Sequence, residues 1–179
     1  MSQSESGTDW APRTGAESLE LTPDQAAARL HGELVDAGQA LAAGDLDRAL
    51  DAYVRGLGLA LQLGPEAAEI ALGAILAGGA ELLRRGDGEG LCALGPAVAG
   101  VVDQVQEAGA VAPGPEMQAW TGVAAEVGAL LGQVGLALGL PAERREGLWR
   151  QAQARAALLD EATGGRLRFS ASWDTMGAG

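Results

Sequence analysis

The chain has 179 residues, enough for one domain with a proper core, and a formal charge of −12. That charge repels nucleic-acid phosphates and anionic lipid, and so argues against DNA or RNA binding. A single cysteine, Cys92, excludes an intramolecular disulfide framework and argues against a cysteine-based zinc site.

Hydrophobic residues make up 47% of the chain but aromatic residues only 3%, so the core has to be built from Leu, Val and Ala. Abundant Ala and Leu with few β-branched residues favour helix over strand. The 28 glycines work against this, because each one inside a helix costs about 1 kcal/mol relative to Ala. Some are therefore expected at turns and others at close helix crossings. All 12 basic residues are Arg, which with the Ala and Gly excess fits a bacterial genome rich in G and C. The first residues lack the basic and apolar segments of a signal peptide. The longest apolar stretch, 127–140, is interrupted by Gln133 and several glycines and is too short to span a bilayer. A cytoplasmic protein without membrane insertion is expected.

In chain order, residues 1–21 are polar and aperiodic and are expected to form a disordered tail. Thr22-Pro23-Asp24-Gln25 is a helix start, with Thr22 as N-cap, Pro23 in the first turn and Gln25 completing a capping box. Leu30, Leu34, Ala37 and Leu41 then mark one apolar face. Gly44-Asp45 ends this helix and caps the next, which carries Leu46, Ala49, Leu50, Tyr53, Leu57 and Leu61 on one face. Asp51 and Arg55 are spaced for an ion pair along that helix. A third helix is predicted from Pro65 to Arg85, with Ile70, Ile75, Leu76, Leu82 and Leu83 apolar. A second Gly-Asp turn, Gly86-Asp87, leads into a fourth helix, where Pro96 predicts a kink or a break. Pro115 opens a fifth helix to about Leu138. Its small-residue ridges, Gly128-x-x-x-Gly132 and Gly135-x-x-x-Gly139, predict a close internal crossing. A sixth helix follows Pro141 and ends before Gly164-Gly165. The expected fold is all-α, with about six antiparallel helices as three αα-hairpins over residues 22–164, either a repeat-like array or a plain bundle. Residues 165–179 are expected to form a flexible tail.

The hairpin over residues 30–61 resembles a tetratricopeptide repeat through Gly44, Ala49, Tyr53, Gly56 and Leu57. The resemblance implies an αα-hairpin array with a groove for a peptide or helix. Glu33 and Asp36 stand where that family prefers Trp and Leu, and the later hairpins do not keep the family's period of about 34 residues. The family's acidic-peptide clamp needs Lys and Asn. This chain contains neither, so that ligand class does not carry over.

The chain offers little for catalysis. Every Ser lies outside the predicted helices, where no fixed geometry holds a nucleophile beside a base. His31 is the only histidine, and no phosphate loop or dinucleotide fingerprint is present. No catalytic, cofactor-binding or metal-ligating residues are assigned. One segment alternates with strand period: Leu167, Phe169, Ala171 and Trp173. It reads either as a disordered tail with incidental aromatics or as a short motif that docks on a partner. The expectation is a non-catalytic interaction or adaptor module whose partner is a protein bearing a basic or amphipathic segment. Candidate contacts are His31, Tyr53, Leu167, Phe169 and Trp173. The alternatives are a small-molecule-binding bundle or regulatory subunit, and a self-assembling homo-oligomer.

Overall fold

The computed structural model describes residues 21–167. The expectations for residues 1–20 and for Phe169 and Trp173 lie outside the described residues. Six helices make up the fold: α1 (Pro23–Ala42), α2 (Leu46–Leu63), α3 (Pro65–Arg84), α4 (Gly88–Glu107), α5 (Pro115–Leu138) and α6 (Ala142–Ala162). They run antiparallel as three successive hairpins, and no strand occurs among the described residues.

Local chemistry sets the boundaries. The Thr22 hydroxyl accepts the Gln25 N–H at 3.1 Å, and the Gln25 side chain accepts the Thr22 N–H at 2.9 Å, which completes the capping box. Gly44 and Gly86 take the left-handed conformation at φ +81° and +69°. Each is followed by an Asp whose N–H donates back to the preceding helix, Asp45 to the Ala40 carbonyl and Asp87 to the Leu82 carbonyl, both at 2.8 Å. The same Asp side chains then accept N–H groups in the next helix, from Arg48 at 3.2 Å and Gly90 at 2.8 Å. Glycine thus satisfies orphan carbonyls behind it while Asp satisfies orphan amides ahead. Pro23 and Pro65 open α1 and α3 at the offset that separates the two turns, and buried Leu30 and Leu72 match at that offset as well.

Two seams hold the helices together. Between α1 and α2, Arg55 pairs with Glu33 at 3.0 Å and Arg48 pairs with Asp36. Arg55 therefore reaches across to α1 and not along its own helix to Asp51, because the α1 carboxylate lies in the half-buried seam. Glu33 and Asp36, the two departures from the repeat signature, are the residues that serve this seam. Between α4 and α5 the backbones touch. A Cβ on Gly95 would lie 2.6 Å from the Gly128 carbonyl oxygen and 2.9 Å from the Gly132 Cα. A Cβ on Gly135 would lie 2.8 Å from the Cys92 N. Helix α4 runs through Pro96 without a break. Helix α5 packs against α3, α4 and α6. With 24 residues it is long and apolar enough to cross a membrane by length and composition. The apolar run at 127–140 had suggested a shorter segment. Half of the helix's most apolar window is buried inside the fold.

The bundle has two distinct ends. At one, both Gly-Asp turns meet: Arg85 donates to the Leu41 carbonyl at 3.0 Å, tying the second turn to the last turn of α1. At the other lie the N-termini of α1, α3 and α5, each opened by a proline. There the loop before α5 is pinned to α2 by the Ala112 N–H, which donates to the Leu61 carbonyl at 2.9 Å.

Candidate functional site

The proline end contains an open cleft of about 600 Å³. Its walls are apolar: Ala27 and Leu30 from α1, Leu63 from α2, and Ala67 and Ile70 from α3. Two of these are large side chains left in solvent, Ile70 at 59% and Leu63 at 39% exposure. The sequence pattern groups Ile70 with the apolar residues of its helix. It instead lies off the buried stripe of Ala68, Leu72, Ile75 and Leu76. The rim carries His31, Glu66 and Glu116. Glu66 and Glu116 occupy the first turns of α3 and α5, where the helix dipole favours a carboxylate. Neither has an ion-pair partner among the described residues.

A second hollow of about 450 Å³ adjoins the first and shares Glu116 with it. It lies between the start of α5, at Trp120 and Val123, and the end of α6, at Thr163 and Arg166. After α6 the chain turns back. The Thr163 hydroxyl donates to the Leu159 carbonyl at 2.9 Å, and Gly164 and Gly165 both have positive φ. Arg166 then pairs with Glu69 of α3 at 3.4 Å. Leu167 is half-buried, its Cδ2 3.7 Å from where a Gly73 Cβ would stand.

The residues singled out in the sequence are therefore dispersed. His31 is exposed at the cleft rim. Tyr53 is only 4% exposed, its ring lying over Gly78 so closely that a Cβ there would stand 2.8 Å from Cζ. Burial raises the Tyr53 phenol pKa above its ordinary value. Tyr53 is thus a core residue, and of the two candidate contacts in the first hairpin only His31 lines the cleft. Leu167 is placed against α3. Cys92 lies near the turn end against Gly135, away from His31. No group of three His, Cys, Asp or Glu side chains converges among the described residues. Comparison with protein-family models, with curated proteins and with solved structures finds no match to this chain.

Proposed function

We propose that this protein is a non-catalytic interaction module that receives an amphipathic, positively charged segment of a protein partner in the cleft between α1 and α3. The observation that carries this reading is the exposure of Ile70 and Leu63 in an open apolar cleft whose rim holds two carboxylates without an ion-pair partner among the described residues. An apolar floor supplies burial energy to an incoming side chain, and the carboxylates select for Arg or Lys beside it. The chain's net charge of −12 favours the same class of partner. Under this reading the likeness of the first hairpin to a tetratricopeptide repeat reflects a shared use of helical hairpins to frame a peptide groove.

The test is site-specific cross-linking in host cells. A photoreactive amino acid at position 70 is expected to give a discrete protein adduct, and the same group at position 158, exposed on α6 and outside the cleft lining, is not. Equal labelling from both positions, or none from position 70, would overturn the proposal.

A second reading takes the same cleft as a small-molecule site, since its volume falls within the usual range for ligand pockets. It predicts no protein adduct at position 70 and protection of the cleft by a cell metabolite extract.

A further inference from the structure

The cleft has a ligand within reach on its own chain. We infer that residues 168–173, Arg-Phe-Ser-Ala-Ser-Trp, dock in cis into the cleft between α1 and α3, with Phe169 on Ile70 and Arg168 beside Glu66 and Glu116. The inference takes the cleft of the proposed function as its site.

Three observations carry it. First, the chain leaves the described structure at the cleft end, already bound to a cleft wall. Arg166 pairs with Glu69, and Leu167 lies against Gly73. Ile70 follows Glu69 directly in α3 and sits about 5 Å along the helix axis from Gly73. Two residues of extended chain cover about 7 Å, so Phe169 reaches Ile70 from Leu167 without strain. Second, an extended segment places alternate side chains on one face. Leu167, Phe169, Ala171 and Trp173 form that face, and Leu167 already points at α3. Third, the charges match. Arg168 joins a rim whose Glu66 and Glu116 have no other ion-pair partner among the described residues. The N-terminal residues also enter at this end, but Glu5, Asp9, Glu17 and Glu20 outnumber Arg13 there, and an acidic rim disfavours them.

Docking of this kind makes the C-terminal segment a built-in competitor, which a partner has to displace. Partners would then resemble the segment itself: aromatic residues alternating with small ones, preceded by Arg.

Phe169 is the only Phe in the chain, so fluorophenylalanine labelling of the full-length protein gives one fluorine resonance. In the folded protein this resonance is expected to be displaced from its position in urea and to be independent of protein concentration. Ile70→Glu is expected to return it to the urea position, whereas Leu158→Glu, at a side chain 67% exposed on α6, is expected to leave it displaced. The double change Glu66→Arg with Glu116→Arg, which leaves the apolar wall intact, is expected to release it as well. A resonance at the urea position in the wild-type chain would overturn the inference while leaving a position-70 cross-link unaffected. A shift that disappears on dilution would mean docking between two copies. Insensitivity to both cleft variants would place Phe169 elsewhere. Either result overturns docking in cis.

Discussion

At the scale of single residues, the glycines separate into those that packing requires and those it does not. Gly95 has the α5 backbone where its Cβ would be, with the Gly132 N at 2.5 Å. Gly132 belongs to the same crossing, yet its own Cβ would enter open space. Gly95→Ala is therefore expected to cost about 3 kcal/mol, because two backbones must separate. Gly132→Ala is expected to stabilise by up to about 1 kcal/mol, because only helix propensity changes. Urea midpoints of the two variants check this, and similar losses from both would contradict the crossing. Tyr53 makes a different prediction. Its phenol pKa is raised by burial above the ordinary 10.0. Below that value the phenol is neutral in folded and unfolded chains alike and adds no pH dependence. As pH rises through it the unfolded chain ionises first, so stability falls until the folded pKa is passed. The chain has one Tyr and no Lys, and a Cys92→Ala background removes the thiol, the other side chain whose ordinary pKa lies between about pH 8 and about pH 11. Urea midpoints at about pH 8 and about pH 11 are expected to converge in Tyr53→Phe and to differ in the parent, with Arg charged throughout.

At the scale of elements, legibility followed the range of the interaction involved. Caps and turns depend on neighbours within a few residues. Thr22-Pro23-Asp24-Gln25 and the two Gly-Asp turns could therefore be read directly, and all six helices were legible. Interactions between helices were less so. The spacing of Asp51 and Arg55 satisfied a rule for isolated helices, but Arg55 found Glu33 on α1, in a seam that sequence spacing does not reveal. Pro96 was read as a kink or a break, and α4 nevertheless continues through it. One lost N–H does not outweigh the backbone contact with α5 at the adjacent Gly95. The small-residue ridge of α5 did announce a close crossing, but not its partner. That partner is α4, whose Gly95 supplies the matching gap. The candidate site was the least legible part. His31 was noticed for its chemistry, whereas Ile70 was absorbed into an apolar helix, and only the fold shows that it faces solvent. Glu66 and Glu116 come from different helices and meet only at the proline end.

At the scale of the whole molecule, charge acts on the fold and on the proposed docking in opposite senses. The chain holds 24 acidic residues against 12 Arg. Several of those Arg are already committed to pairs, Arg48 with Asp36, Arg55 with Glu33, Arg155 with Glu126 and Arg166 with Glu69. The exposed pairs among these contribute roughly 0–1 kcal/mol each. The surplus carboxylates are left to repel one another, and compaction brings them closer. Screening should relieve that repulsion more than it weakens the pairs. Raising sodium chloride from about 20 mM to about 300 mM shortens the Debye length from roughly 20 Å to below 10 Å. The thermal midpoint is expected to rise over this range, and a fall would mean that the ion pairs dominate. Attraction between Arg168 and the cleft rim is screened by the same salt, so the fluorine resonance of Phe169 should drift toward its urea position as the midpoint climbs. Global loosening would move both observables the same way. Their divergence is expected only if the segment is held to the cleft partly by charge while the bundle itself is opposed by it.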